Sequence, residues 1–316
     1  MVGAVAATRR AKLTDRLAVD CRPLRFARRG PIAIIDRHAI AGTRTPPRDD
    51  VRARALDAFS AEHPGLRFAP VVAVIAALDE EGGVGAVVRD VPRTACGLEV
   101  DVLVVDDGST DGTADIVRAR PETGDPTAGA TLSVISVPHG GKGSAVRAGM
   151  LHAQSDILVF ADADMATPPD MLVPLVAALD DADVALGSRI QPDGSDMRKS
   201  QPRYRRLLGK AFHLLASLWV VGPVQDTQCG FKGFRRAAAH DLFARQRITS
   251  IVFDVELIYL ARRRGYSMAI VPITWADRRG SRMRARPGLA ARVAWDLLRI
   301  PLIHRRLGRL TTPAEG

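Results

Sequence analysis

The sequence predicts an α/β fold, with a mainly parallel central sheet and flanking helices. Three observations point there. Short, continuous apolar runs recur, each suited to a strand buried on both faces. Helical patterns alternate with them, as in strand–helix–strand units. Carboxylates, glycines and a lysine fall just beyond the runs, where ligands of such sheets bind.

The elements follow in order from Phe68. Val71-Val72-Ala73-Val74-Ile75 is the first buried strand, and Glu80-Glu81 leads into a short helix near Val84 to Val91. Val100 to Val105 is the second strand. Asp111 to Arg120 reads as a helix capped by Thr110 or Asp111. Leu132 to Val137 is a strand, Gly143 to Ala153 a helix, and Ile157 to Ala161 the fourth strand. Pro168 to Leu179 is a helix, Val184-Ala185-Leu186 a strand, and Ala269 to Ile273 a later strand. Gln191 to Gln201 is a polar loop. Tyr204 to Val221 reads as a helix with Arg206, Lys210, His213 and Ser217 along one face. Leu289 to Arg306 is a second amphipathic helix. Its polar side is marked by Arg292, Asp296 and Arg299, its apolar side by Leu289, Val293, Leu297 and Ile300, and Pro301 is expected to kink or end it.

Residues 1–66 differ from the rest. They are Arg-rich, carry Gly42-Thr43-Arg44-Thr45-Pro46-Pro47 and lack sustained periodicity, so a poorly ordered extension is expected. The main domain is expected over 67–280, with a basic amphipathic segment over 281–316.

The three cysteines, Cys21, Cys96 and Cys229, are odd in number and widely spaced, so no disulfide framework or zinc spacing is visible and a reducing cytosol is expected. A net charge of +10 asks for an anionic partner: nucleic acid, a phosphorylated substrate or a membrane surface. No nucleic-acid motif or aromatic stacking series accompanies it. No apolar run approaches the roughly 20 residues of a spanning helix, and the first residues lack a signal-peptide core. The expectation is a soluble or peripheral protein.

Three motifs carry chemistry. Asp162 and Asp164 follow the apolar run Ile157-Leu158-Val159-Phe160. Two apart in an extended segment, their carboxylates point the same way. Hard oxygens of this kind hold Mg²⁺ or Mn²⁺ against a diphosphate, although a solvated acidic turn gives the same letters. In the second motif, Asp106-Asp107-Gly108-Ser109-Thr110-Asp111-Gly112-Thr113, two carboxylates end a strand and can accept from ribose hydroxyls or a base N–H. An ordinary strand-to-helix turn uses the same residues. The third is Gly140-Gly141-Lys142-Gly143-Ser144-Ala145-Val146-Arg147, glycines and a lysine opening a helix, which suits an anion. Its spacing is not that of a P-loop.

In this order the motifs resemble family 2 glycosyltransferases of the GT-A fold, over about residues 70–280. The family's Pro-Ala-Tyr-Asn-Glu-Glu reads here Ala76-Ala77-Leu78-Asp79-Glu80-Glu81. Further on, Asp226-Thr227-Gln228-Cys229-Gly230-Phe231-Lys232-Gly233-Phe234, Phe253-Asp254-Val255-Glu256-Leu257, Gly187-Ser188-Arg189, Arg205-Arg206-Leu207-Leu208 and Trp275 look like dolichyl-phosphate glucosyltransferases and polyprenyl-phosphate relatives.

The resemblance implies inverting transfer of a hexose, glucose foremost, from a nucleotide diphosphate sugar to a polyprenyl phosphate. UDP-glucose is the favoured donor and GDP-mannose is open. It puts Ala76, Leu78, Glu80, Asp107, Lys142, Asp162 and Ala163 around the nucleotide sugar. Asp162 and Asp164 would hold Mg²⁺ or Mn²⁺, and Asp162, Asp164, Asp226 and Asp254 are the catalytic candidates. Arg189, Arg203, Arg205 and Arg206 are candidates for the acceptor phosphate. For Asp226, Asp254 and Glu256 an ion pair with a nearby arginine is the plain alternative, and it is the preferred one for Glu256. Cys229 is expected to be a small buried thiol. Trp219 and Trp295 would anchor the amphipathic helices at an anionic membrane, on its cytoplasmic face. Other acceptors, with hydroxyl nucleophiles, would require a true base.

Overall fold

The computed structural model describes residues 33–34, 71–80, 83–84, 100–119, 132–164, 166–197, 209, 212, 214–222, 224, 226–276 and 287–308. Among the described residues eight strands form one sheet: β1 (Ala33–Ile34), β2 (Val71–Ala77), β3 (Val100–Asp106), β4 (Leu132–Ser136), β5 (Ile157–Asp162), β6 (Val184–Ser188), β7 (Lys232–Arg235) and β8 (Met268–Pro272). Their order is β1-β8-β6-β7-β5-β2-β3-β4. β5, β2, β3 and β4 run parallel, as do β6 and β8. β7 runs antiparallel between β5 and β6, and β1 antiparallel to β8. The expected α/β sheet is therefore present. The sequence reading lacks β7, which is four residues long and starts on a lysine. Ala33 and Ile34 fall inside the expected extension and form an edge strand.

The helices are α1 (Thr113–Arg118), α2 (Lys142–His152), α3 (Leu172–Ala178), α4 (Arg236–Arg245), α5 (Phe253–Arg264) and α6 (Pro287–Ile303). A 3₁₀ turn, Pro169–Met171, precedes α3, and a π-helical turn covers Ser217–Val221. Alternate residues of the strands feed two cores. Val72, Val74, Leu103, Val105, Leu158 and Phe160 pack with α2, α4, α5 and α6. Val71, Ala73, Ile75, Val102, Val104 and Val159 pack with α1 and α3. On the first face Phe160 meets Phe234, Phe243 and Phe253 at centroid distances of 6.1, 6.3 and 5.7 Å. Gly149 lets α2 lie close on the sheet, since a Cβ there would fall 2.4 Å from Val74 Cγ1.

α6 departs from its expected polarity. Leu297 and Ile300 are buried as expected, but so is Asp296, whereas Trp295, Leu298, Leu302 and Ile303 are exposed. Asp296 is buried because it accepts the Ser250 hydroxyl at 2.6 Å and pairs with Arg299 at 2.8 Å. Pro301 lies in the last turn, where the helix ends two residues later without an earlier break. Of the expected Tyr204–Val221 helix, Arg206, Lys210 and His213 lie outside the residues whose side chains are described. Its end, Ser217–Val221, winds as the π-helical turn.

Candidate functional site

From β2 the chain moves to β3 and β4 with α1 on one face, then crosses by α2 on the other face to β5. The connections diverge at β2, which opens a crevice at the carboxyl ends of β2 and β5. Ala76 lies opposite Asp162 across that pair.

The loop after β2 is stitched to the loop after β3. Asp79 takes a left-handed φ of 51°. Its N–H donates to Ser109 Oγ at 3.0 Å, and its Oδ1 accepts Thr110 N–H at 2.8 Å. Glu80 N–H donates to Thr113 Oγ1 at 2.8 Å. Short polar side chains tolerate this conformation better than others do, so an aspartate here fits. Leu78 is exposed at the rim, Glu80 is half-buried, and Ala163 is buried behind them.

Asp107 is buried and turned toward the glycine loop. Its two carboxylate oxygens accept Gly140 N–H at 2.9 Å and Gly141 N–H at 3.0 Å. His139 Nδ1 is 2.9 Å from Oδ2. This carboxylate holds the glycine loop in place. Gly141, at φ 90°, then turns the chain into α2, whose first residue is Lys142.

Lys142 Nζ lies 2.5 Å from Asp162 Oδ1. Burial disfavours the ammonium, but the carboxylates of Asp162, Asp254 and Asp164 outweigh it, so the lysine pKa stands above its ordinary value. Asp162 ends β5. A turn begins at Ala163, so Asp164 is not set by strand alternation as expected. Its Oδ1 accepts Ala166 N–H at 3.0 Å and the residue is exposed. Behind Asp162, Gly230 leaves no room: a Cβ there would fall 2.3 Å from Asp162 Oδ2.

Among the described residues, no group of three or more His, Cys, Asp and Glu forms a metal site by itself. Asp162 Oδ1, however, is buried, and its partner among the described residues is the Lys142 ammonium alone. One or two carboxylates completed by substrate phosphates is a usual way to hold Mg²⁺. Asp162 and Asp164 fit that donor set.

On the far side of the crevice two charge pairs absorb the remaining candidates. Arg189 grips Asp226 through a fork, Nε to Oδ2 at 2.8 Å and Nη2 to Oδ1 at 2.7 Å, and stacks 5.7 Å from the Trp275 ring centroid. Arg189 N–H adds a third bond to Asp226 Oδ2 at 2.9 Å. Asp254 pairs with Lys232 at 2.5 Å, and Lys232 also donates to the Cys229 carbonyl and faces the Phe160 ring. Burial raises the Asp254 pKa, with Lys232 and Lys142 pulling against it. Cys229 is a buried thiol, pushed up to about 12 mainly by burial and then by Asp226. Arg203, Arg205 and Arg206 lie outside the described residues.

Glu256 is fully buried and serves the backbone. It accepts Arg247 N–H at 2.9 Å and Ile248 N–H at 2.8 Å, and meets His304 Nε2 at 2.7 Å. An arginine side chain was the expected partner, but these backbone groups and His304 take its place. Sequence reasoning missed Lys232, Asp79 and His304. A lysine framed by Phe231 and Phe234 signals that a buried carboxylate must meet it, but not which one.

The sequence model of the family described as Glycosyl transferase family 2 matches residues 72–243. The chain is 34% identical over 216 residues to a dolichyl-phosphate beta-glucosyltransferase of Trichomonas vaginalis, covering 65% of this chain and 60% of that protein. It is 37% identical to the Drosophila melanogaster dolichyl-phosphate beta-glucosyltransferase, covering 58% and 57%, and 32% identical to the human one, covering 58% of each. The match thus spans about three-fifths of these relatives' length. Among solved structures, glucosyl-3-phosphoglycerate synthase from Mycobacterium tuberculosis with Mn²⁺ and UDP-glucose superposes with a TM-score of 0.52 at 21% identity, covering 85% of this chain and 87% of that one. That likeness concerns the fold.

Proposed function

Because the chain belongs to glycosyl transferase family 2, we propose that it moves a hexose, glucose by preference, from a nucleotide diphosphate sugar to a polyprenyl or dolichyl phosphate with inversion. The observation that carries the donor half is the meeting of Lys142 and Asp162 at the mouth of the β2–β5 crevice. There a cation and the amino end of an 11-residue helix face the place a diphosphate would take. The acceptor half draws on the names of the relatives.

In this reading the Lys142 ammonium binds the diphosphate at the amino end of α2, whose Gly143 N–H is itself bonded to the Thr249 carbonyl. Asp107 acts through the glycine loop it holds, and Glu80, beside Ala76 and Leu78, orients base and ribose. Asp162 and Asp164 hold Mg²⁺ or Mn²⁺. Such an ion, when bound, neutralises charge growing on the departing nucleotide. The acceptor phosphate oxygen attacks the anomeric carbon as the bond to the diphosphate breaks. A phosphate monoester has a second pKa of about 6, so it arrives ionised and needs no general base. That suits a site whose buried acids are already committed: Asp226 fixes Arg189, and Asp254 balances Lys232. Arg189, held rigid between Asp226 and Trp275, offers its guanidinium edge to the acceptor phosphate, with Arg203, Arg205 and Arg206 as further contributors.

A lipid acceptor also gives the exposed apolar face a purpose. Leu214, Leu215, Leu218, Trp219, Trp295, Leu298, Leu302 and Ile303 are exposed. They lie on residues 214–219 and on α6, which are joined by the bond from Trp219 Nε1 to the Leu298 carbonyl at 3.2 Å. Among the described residues no helix is long and apolar enough to cross a membrane. The face would rest in the headgroup region of an anionic membrane, on its cytoplasmic side, with Arg292, Arg305 and Arg306 exposed beside it.

The test is incorporation of radiolabelled sugar from UDP-glucose and GDP-mannose into solvent-extractable lipid. Label in lipid from UDP-glucose is the expected result. Label that appears only in water-soluble or polysaccharide product would overturn the phosphate acceptor.

A further inference from the structure

Gly143, the neighbour of Lys142, is held at both of its backbone groups by one segment. Its N–H donates to the Thr249 carbonyl at 3.0 Å, and its carbonyl accepts Gln246 Nε2 at 2.9 Å. Gln246 is buried and also donates to the Ile248 carbonyl at 2.8 Å. The fit is close, since a Cβ on Gly143 would fall 2.9 Å from Thr249 O and from Phe253 Cβ. Segment 246–250 is therefore a packed wall behind the first turn of α2.

The other side of that segment is tied to α6 and the residue just past it. Ser250 Oγ donates to Asp296 Oδ2 at 2.6 Å. Glu256, which holds the N–H groups of Arg247 and Ile248, meets His304 at 2.7 Å. Asp296 and His304 are buried, while α6 carries Trp295, Leu298 and Leu302 on the exposed apolar face. A continuous run of bonded groups thus leads from α6 through Ser250 and Glu256 to Gly143, and so to the lysine beside Asp162. Buried polar groups held by several partners transmit displacement poorly tolerated elsewhere in a packed interior.

We propose that segment 246–250 couples the seating of α6 to the position of Lys142, with Ser250 and Gln246 as positioning residues of the donor site. The inference rests on the donor role of Lys142 proposed above. Its consequence is that seating α6 on the lipid surface that carries the acceptor steadies the loop that receives the donor.

The experiment compares the full chain with Ser250→Ala, Asp296→Leu, Asp296→Asn and Ser267→Ala. Ser267 is the control, because its hydroxyl donates to Asp183 Oδ2 at 2.7 Å between the β8 and β6 ends, away from α2. Amide hydrogen exchange is followed at residues 141–144, and UDP is titrated in the presence of Mn²⁺. In Ser250→Ala and Asp296→Leu, exchange at 141–144 is expected to quicken, and UDP affinity to fall, by about twofold to thirtyfold, the span by which changes along packed networks alter coupling. Asp296→Asn keeps an acceptor for Ser250 and is expected to retain wild-type values. Unchanged exchange at 141–144 in Asp296→Leu, or equal loosening in Ser267→Ala, overturns the coupling. The exchange arm needs no ligand. Failure of UDP to bind the wild type would count against the donor reading and leave the exchange result to decide the link.

Discussion

Lys232 and Asp254 form an ion pair at 2.5 Å whose lysine side chain is 0% and whose aspartate side chain is 5% exposed. Two charges taken from water in this way depend on each other. Asp254→Asn is expected to cost about 3–5 kcal/mol, because it leaves Lys232 buried without a counter-charge. The double variant Lys232→Met/Asp254→Leu is expected to cost much less than the sum of the single changes. Urea unfolding of the four proteins of this cycle measures both. A near-neutral Asp254→Asn with full transfer loss would instead make Asp254 a group of the reaction.

Gly230 backs the carboxylate of Asp162, and a Cβ would displace it. Gly230→Ala is therefore expected to lower transfer by about 100-fold, the usual effect of misplacing a reacting constellation by an ångström. Circular dichroism should be unchanged. Wild-type turnover in this variant would remove Asp162 from the site.

Asp164 is exposed, and its Oδ1 accepts the Ala166 N–H within its own turn. Asp164→Ala is expected to abolish transfer and weaken Mn²⁺ binding in the presence of UDP, with melting temperature little moved, as for surface changes generally. Full activity of this variant after chelator treatment would refute the metal assignment.

The Cys229 thiol, raised from 9.0 to about 12, resists ionisation in the folded protein. In Cys21→Ser/Cys96→Ser protein, iodoacetamide at about pH 8 is expected to leave Cys229 unmodified until the chain unfolds. Between 9.0 and about 12 the unfolded thiol has lost a proton that the folded one keeps, so stability declines as pH rises through that window. Rapid labelling of the native protein would contradict the burial of this side chain.

Flotation with anionic liposomes reads the exposed face of α6. Leu302→Glu is expected to weaken partition by about tenfold or more, from the loss of one buried leucine. Raised salt should weaken it further by screening the flanking arginines. A wild-type protein that stays in solution at low salt would sink the membrane reading.

The strands are legible because β2, β3, β5 and β6 are largely buried on both faces and so read as apolar runs, interrupted within β3 by Asp101. Asp107 and Asp162 follow or end such runs and Lys142 opens the helix between them, so the three are legible as a set. What escaped depends on distant partners. Lys232 needs Asp254, 22 positions away, and Glu256 needs His304, 48 positions away. Periodicity contains no such pairing. The polarity of α6 escapes for the same reason: its pattern of charges is visible, but whether Asp296 meets water or Ser250 is decided by tertiary packing.

The reversed strand β7 sets a schedule for the growing chain. β5 ends at Asp162 and its neighbour on that edge, β7, begins at Lys232. The half built on β2 to β5 thus leaves the ribosome with one edge unpaired. At ordinary synthesis rates the missing strand follows about 70 residues later, roughly four to fourteen seconds. During that interval Ile157 to Phe160 is an open, apolar template for pairing with another nascent chain. The parallel half of the sheet can be finished only when the segment that carries β7 arrives.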